Sequence, residues 1–141
     1  MTSDDLPSYL AQNRRALSRA YTYVTSWLRA HHLPYTPANA GHFVLVDFRK
    51  HLEAVTNDRV LEKGGREPAR KEANDEVALL NRFVDGGVYL GPGASYACAD
   101  PGFFRITFCI PRRELEIALE RIETVCGLPH KTAEISRSCP E

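Results

Sequence analysis

Among the 141 residues of this chain, the side chain best suited to bind a ligand is an arginine inside an apolar segment. Arg105 lies between Phe104 and Ile106, in a run whose pattern alternates like that of a strand. A charge in such a strand is costly unless it meets a partner or reaches water. Because a guanidinium donates two parallel hydrogen bonds to a carboxylate, Arg105 is either a solvent-facing arginine or a ligand-binding one.

A loop without bulky side chains precedes this arginine. The segment Gly91–Ser95 reads Gly-Pro-Gly-Ala-Ser, so its backbone is accessible over several consecutive residues. Such a loop lets a ligand or another backbone approach closely. The loop and Arg105 together predict a binding site for a carboxylate.

The other reactive residue types form no recognisable catalytic or metal-binding pattern. The sequence has no HExxH, no GxSxG, no Walker loop and no third glycine for a dinucleotide fingerprint. We therefore expect no metal site and no catalytic residue. The four cysteines are expected to be small core residues: Cys98, Cys109, Cys126 and Cys139. The four lysines lie outside any predicted pocket that could lower an amine pKa: Lys50, Lys63, Lys71 and Lys131.

Composition narrows the class of protein without indicating an activity. Eighteen basic and eighteen acidic residues give a formal net charge of zero. This argues against a nucleic-acid binder held by bulk charge and against a polybasic membrane anchor. No apolar run approaches the ~20 residues that span a bilayer. Cysteines without a CxxC pair are typical of a reduced protein, so we expect a cytoplasmic location.

Amphipathic helices are predicted near the two ends of the chain. Apolar residues recur every three, four or seven positions from about Asp4 to His31, which predicts a long first helix. The last helix is predicted to begin at Pro111 and to end at Gly127. The polar tail after it, residues 128–141, is expected to fray. The expected buried stripes are Leu6, Leu10, Leu17, Tyr21, Val24 and Leu28, and then Leu115, Leu119, Ile122 and Val125.

A charged, glycine-containing segment precedes a third helix. Residues 57–74 carry few apolar side chains, so we interpret them as an exposed insertion. The helical period returns from Asn74 to Val84 and stops at a pair of glycines. Asn74 or Asp75 is the expected N-cap. The expected buried face is Val77, Leu80 and Val84, widened by Leu79 and Phe83.

Three segments have the composition of strands. His42–Phe48 is predicted to be buried on both faces in its middle, after a turn over residues 36–41. Val88–Leu90 is a short strand and Phe103–Ile110 the clearest one. The apolar side of this last strand is Phe104, Ile106, Phe108 and Ile110. The element order predicts one α+β domain over residues 1–141, with a small, mainly antiparallel sheet of about three strands covered by helices and a long N-terminal helix.

Three pieces of the sequence resemble the C-terminal part of class I and II aminotransferases. The most specific is Gly91–Ile110, which combines a PGSSF-type loop, an acidic-Pro-Gly turn, an aromatic residue and Arg105. The segment Asn39–Phe48 is similar to the family's AGxF strand, and Ser8–Leu17 to the helix joining its two domains. Within the family, the chain most resembles the 1-aminocyclopropane-1-carboxylate synthase-like branch.

The resemblance implies the small domain of a fold-type I enzyme that depends on pyridoxal 5'-phosphate. In that family a strand arginine binds the substrate α-carboxylate, and Arg105 falls on that position. The Schiff-base lysine and the cofactor site belong to the large domain. The resemblance thus implies an amino-acid substrate, a large cofactor-binding domain in the same or a companion chain, and a homodimer in the complete enzyme. This chain alone is expected to be inactive and to bind no cofactor covalently.

Several alternatives stay open. No large-domain motif is found in the sequence, which is consistent with an excised piece, a split gene product or a truncated relative. Transamination, elimination and carbon–sulfur β-lysis need the same carboxylate clamp, so Arg105 does not choose among them. A non-catalytic interaction or remnant domain is the second hypothesis. An unrelated ferredoxin-like regulatory domain is the third, and it fits the element order less well.

Overall fold

The computed structural model describes residues 5–52 and 71–139. In these residues four longer helices surround one small sheet, and residues 49–52 add a helical turn. None of these helices combines the length and apolar character needed to cross a membrane. The elements are α1 (Leu6–Ala30), β1 (Tyr35–Thr36), β2 (Phe43–Asp47), α2 (Lys71–Asp85), β3 (Gly91–Pro92), a 3-10 helix (Gly93–Tyr96), β4 (Phe103–Thr107), α3 (Arg112–Cys126) and α4 (Thr132–Ser138).

The four strands form one sheet in the order β1-β2-β4-β3, and each neighbouring pair is antiparallel. This confirms the predicted α+β fold, with four strands instead of about three. The additional strand, β1, lies at the start of the predicted turn over residues 36–41. The predicted strand Val88–Leu90 is wrong, because the ladder begins at Gly91. Val88 and Leu90 are buried, but they precede the ladder.

The core lies on one face of the sheet. Phe104 and Ile106 of β4 are buried, as are Val44 and Val46 of β2, whereas the residues between them are only partly buried or exposed. Phe108, just beyond β4, is also buried as predicted. The predicted strand is too long at its end, since β4 stops at Thr107 and Ile110, which the alternation placed on the same side, is exposed. The prediction that the middle of β2 is buried on both faces is also wrong, because only the face of Val44 and Val46 is buried.

The long helix α1 has two different halves. Its C-terminal half packs on the core through Tyr23, Val24, Trp27 and Leu28. Every residue from 5 to 16 is exposed. The predicted stripe is therefore confirmed near Val24 and wrong at Leu6 and Leu10, because no other described element covers the first three turns of the helix.

Helix α2 turns a different face to the core than its pattern predicts. Leu79 and Phe83 are buried, whereas Val77 and Val84 are exposed. The helix already includes Lys71, so Asn74 and Asp75 are interior residues and not the N-cap. Gly87 has a φ of +79°, which is consistent with the predicted helix end. Residues 57–70 of the predicted insertion lie outside the described residues, and the backbone of 71–74 belongs to α2.

Two helices complete the layer that covers the sheet. Helix α3 begins after Pro111 and ends at Gly127, whose φ of +63° terminates it, as predicted. Its buried stripe contains Glu123 in place of Val125. The expectation that the tail frays is wrong over Thr132–Ser138, which form α4. This helix stays ordered because it is bonded to α1 and α3 through Thr132 and Glu123.

Candidate carboxylate-binding site

Arg105 lies in the middle of the sheet face that points away from the core. In the β2–β4 register it pairs with Leu45, and in the β3–β4 register it pairs with Gly91. Its neighbours Phe104 and Ile106 point into the core, so the pleat directs Arg105 to the opposite side. The sequence prediction placed Arg105 opposite these apolar residues, and the structure confirms that placement.

Two aromatic rings flank the guanidinium. The Cζ atom of Arg105 lies 4.0 Å from the ring centroid of Tyr96 and 4.9 Å from that of Phe43. Both rings are partly open to solvent, with Tyr96 46% and Phe43 38% exposed. A cation–π contact contributes about 0.5–1 kcal/mol at exposed sites and about 2 when desolvated. The rings therefore support the guanidinium without neutralising its charge.

The absence of a side chain at Gly91 makes room for one of these rings. A Cβ atom at this position would lie 3.0 Å from Tyr96 Cε2 and 3.1 Å from the Tyr96 hydroxyl oxygen. It would also lie 3.5 Å from the Cβ of Arg105. Real Cβ atoms rarely come this close to a neighbour, so any larger residue at position 91 would push the Tyr96 ring away from the arginine by a few tenths of an ångström. The sequence predicted that a ligand or another backbone comes close to this loop, whereas at Gly91 the group that comes close is the side chain of Tyr96.

The guanidinium of Arg105 has no anionic partner among the described residues. Its Nε atom is buried and lacks a hydrogen-bond acceptor. A buried donor without an acceptor costs about 1–3 kcal/mol, and more when the group is charged. Arg105 is thus neither in bulk solvent nor sealed in the core, and the geometry leaves its charge available to an added acceptor.

A second arginine, Arg49, contacts the ring of Phe103 and is already paired. Arg49 donates from Nε to Oδ1 of Asp47 at 3.0 Å and from Nη2 to Oδ2 at 2.6 Å. These hydrogen bonds, which outweigh the effect of burial, lower the pKa of the Asp47 carboxyl. Arg49 also lies over the ring of Phe103, with its Cζ atom 4.9 Å from the centroid. The carboxylate of Asp47 therefore pairs with Arg49 and not with Arg105.

An open cleft borders Arg105 on the side of the β3 edge. Its volume is about 340 Å³. Most of its lining is apolar and comes from the segment before β3 and from α3, including Val88, Leu90, Leu115 and Ile122. These lining residues belong to the core side of the sheet, so the cleft meets Arg105 only at the β3 edge.

A buried glutamate, which sequence reasoning did not single out, anchors the loop that carries Tyr96. Glu76 of α2 is 4% exposed and accepts the backbone N–H of Gly102 at 2.6 Å through Oε2. Its Oε1 accepts the N–H of Ala94 at 3.4 Å. The signal was available in principle, because Glu76 lies three and seven positions before the buried Leu79 and Phe83. Tyr96 and Phe43 were also missed, since their contacts with Arg105 depend on the fold.

The described residues do not fit a cofactor site of the kind that holds pyridoxal phosphate. Lys50 is exposed, and Lys131 donates its Nζ to the carbonyl oxygen of Ala30 at 3.0 Å. No three potential metal ligands cluster in the described part of the chain. The four cysteines are unpaired thiols, and burial raises the pKa of Cys126 to about 12. The chemistry that these residues support is the binding of an anion at Arg105.

Comparison with known proteins places this chain in a family. The model of the aminotransferase class I and II family matches residues 1–122. The probable aminotransferase gliI of Aspergillus fumigatus is 40% identical over 119 residues, which are 84% of this chain and 25% of that protein. The human 1-aminocyclopropane-1-carboxylate synthase-like protein 1 is 33% identical over 92% of this chain and 23% of its own length.

A solved structure shows the same fold. A tetra mutant of Thermus thermophilus aspartate aminotransferase superposes with a TM-score of 0.63 at 21% identity, over 87% of this chain and 28% of that one. The chain therefore spans about a quarter of the length of these relatives. Because the family model covers most of the sequence, the chain belongs to the class I and II aminotransferase family.

Proposed function

We propose that this chain acts as the small domain of an enzyme that depends on pyridoxal phosphate and transforms amino acids, and that Arg105 binds the substrate α-carboxylate. The observation that carries the proposal is the unpaired state of Arg105, whose buried Nε has no acceptor while aromatic rings hold the side chain in place. Family membership supports the same role.

The geometry accounts for what Arg105 would contribute. The planar fork of a guanidinium forms two parallel hydrogen bonds with a carboxylate, which fix the orientation of the substrate as well as its position. Orientation of this kind lowers the barrier of a reaction by removing rotational freedom before the chemical step. We assign this positioning to Arg105, and the cofactor with its lysine to the large domain of the same or a companion chain. The complete enzyme is proposed to be a homodimer, as the family implies.

The proposal covers aminotransferase and 1-aminocyclopropane-1-carboxylate synthase-like chemistry, with a carbon–sulfur β-lyase as the alternative within the family. All three branches require the carboxylate of an amino acid to be held, so Arg105 serves each of them equally. The relatives named above, a probable aminotransferase and a 1-aminocyclopropane-1-carboxylate synthase-like protein, support the first two of these branches.

A second candidate function is a non-catalytic interaction domain. The exposed apolar side chains on the first turns of α1, among them Leu6, Tyr9 and Leu10, favour contact with another protein surface. This function needs no anion at Arg105. The two candidates are therefore separated by whether Arg105 contributes to the use of an amino acid.

Kinetics of the complete enzyme, in which the large domain accompanies this chain, test the proposed function. Replacing Arg105 with Ala is expected to lower kcat/KM for the amino acid by roughly 2–5 kcal/mol of transition-state stabilisation, because a charged pair is broken. Arg105→Lys keeps the charge but loses the planar fork, so an intermediate loss is expected. Unchanged kinetics in both variants would contradict the role assigned to Arg105 and favour the interaction domain.

A further inference from the structure

The position of the Arg105 guanidinium depends on Tyr96. No hydrogen bond to a described residue holds the Nε atom of Arg105, so the ring contacts at 4.0 and 4.9 Å are the contacts that locate its charged end. Tyr96 makes the nearer contact. A shift of this ring would free the guanidinium on one side, and side-chain entropy would then favour several rotamers.

Tyr96 lies on a connection that local structure alone does not fix. It ends a single 3-10 turn, and the connection from that turn to β4 contains two positive φ angles, +58° at Ala97 and +93° at Gly102. One backbone hydrogen bond ties the connection to the 3-10 turn, from the N–H of Cys98 to the carbonyl oxygen of Gly93 at 3.1 Å. Another ties it to the end of β2, from the N–H of Phe48 to the carbonyl oxygen of Gly102 at 2.8 Å.

One carboxylate joins the two ends of this connection. Oε1 of Glu76 accepts from Ala94, two residues before Tyr96, and Oε2 accepts from Gly102, three residues before Arg105. The glutamate reaches both from α2, a separate element. Its side chain therefore links the segment that carries the ring to the strand that carries the arginine.

Packing does not explain a carboxylate at this place. The residues that follow Glu76 on the buried face of α2, Leu79 and Phe83, are apolar core residues. An apolar side chain at position 76 could be buried in the same way, but it would leave the Gly102 N–H without its acceptor. A buried charge is costly unless its hydrogen bonds are made, so its two backbone bonds are the reason for its presence.

We infer that Glu76 is a positioning residue for the carboxylate-binding arginine. Through Ala94 and Gly102 it sets the Tyr96 ring against the Arg105 guanidinium, and it thereby keeps the guanidinium in one orientation. Its importance for substrate binding rests on the proposed function of Arg105, whereas its effect on the ring–guanidinium contact is measurable without any ligand.

The test is an NMR comparison of the 141-residue protein with its Glu76→Gln variant. In the parent protein the Arg105 side-chain protons lie close to two aromatic rings, so ring currents displace their signals from the values of a free arginine. Glu76→Gln is expected to move these signals toward the free values. Glu114→Gln, the same chemical change at an exposed residue of α3, is expected to leave them in place.

A Tyr96→Leu background shows whether the effect passes through the ring. If Glu76 positions Tyr96, Glu76→Gln moves the Arg105 signals much less once Tyr96 is absent, because the two changes are coupled. A purely structural role for Glu76 gives the same displacement in both backgrounds, and that result would overturn the inference. Unmoved Arg105 signals in a folded Glu76→Gln protein would overturn it as well.

A second variant and a ligand complete the test. Glu76→Asp keeps the charge on a shorter side chain. If Glu76→Gln does not fold, this variant takes its place, and we expect it to displace the Arg105 signals in the same direction by a smaller amount. Acetate is the probe for binding. We expect the Glu76 variants to bind acetate more weakly than the parent protein, by a factor of roughly three or more. Failure of acetate to bind the parent protein would count against the proposed function, whereas an unmoved Arg105 signal counts against Glu76 alone.

Discussion

Two charged side chains in this domain, Glu123 and Arg105, differ in the number of hydrogen bonds that fix their charge. Glu123 on α3 is fully buried, and its Oε1 atom lies within 3.1 Å of four hydrogen-bond donors. These donors are Trp27 Nε1, His31 Nε2, the backbone N–H of Lys131 and the Thr132 hydroxyl. Arg105 has a buried Nε atom and no acceptor among the described residues.

If the proposed function is right, the difference separates a charge that holds the fold from a charge that is available to a ligand. Although burial raises the pKa of the Glu123 carboxyl, hydrogen bonds from Thr132, Trp27 and His31 outweigh it and leave the pKa below its usual 4.5. The ionised glutamate thus joins α1, α3 and the start of α4. No hydrogen bond to a described residue stabilises the Nε atom of Arg105 in this way, so the described contacts do not account for its charge.

The largest effect is expected when the glutamate is removed. Glu123→Ala removes the acceptor of the buried Thr132 hydroxyl and the carboxylate partner of His31, and it leaves the Trp27 indole only its bond to Thr132. We therefore expect a loss of about 3–5 kcal/mol in the free energy of unfolding. Urea unfolding followed by tryptophan fluorescence measures it. Glu120→Ala, an exposed glutamate on the same helix, is the matched control and is expected to change stability by less than about 0.5 kcal/mol. Equal losses in the two variants would refute the structural role of Glu123.

A smaller effect is expected from pH. Because the folded-state pKa of Glu123 is lowered, its contribution to stability is fully present above its usual 4.5 and is lost as pH falls through the folded value. Glu123→Gln is therefore expected to flatten the fall in stability below pH 4.5. Urea unfolding at a series of pH values measures this slope. His130 Nδ1 lies 3.4 Å from Oε2 of Glu123, so both proteins are also compared in a His130→Ala background. Parallel pH profiles in both backgrounds would contradict the assigned pKa shift.

The smallest effect on stability is expected at the arginine. Arg105→Met keeps an apolar stem between the two rings and removes a charged donor that has no acceptor, so the free energy of unfolding should stay within about 1 kcal/mol of the parent or increase. The same urea measurement applies. A loss above about 3 kcal/mol would mean that Arg105 holds the fold as Glu123 does, and the contrast between them would disappear.

The fold class and the candidate arginine could be predicted because their signals are local. Alternation along β4 placed Arg105 opposite Phe104 and Ile106, and a charge in so apolar a run is conspicuous without any knowledge of the partners. The glycine after α3 likewise marked the end of that helix, because only the local backbone matters there.

Features that depend on distant partners could not be read from local patterns. Glu123 is bonded to Trp27, 96 positions away in sequence, and nothing around either residue signals the pair. In α2 two apolar faces compete, and the sheet buries that of Leu79 and Phe83 and not that of Val77. At the start of α1, periodicity predicts an apolar stripe but does not show whether anything covers it. Burial in these places is decided by the tertiary structure.

Titration of the 141-residue protein with acetate, followed by the Nε–Hε NMR signal of Arg105, tests the central claim most directly. Arg49, which is already paired with Asp47, is the internal control for nonspecific binding of anions. The account predicts a saturable displacement of the Arg105 signal, with a much smaller response from Arg49. An Arg105 signal that responds no more than that of Arg49 would contradict the claim that this arginine is held unpaired to receive a carboxylate.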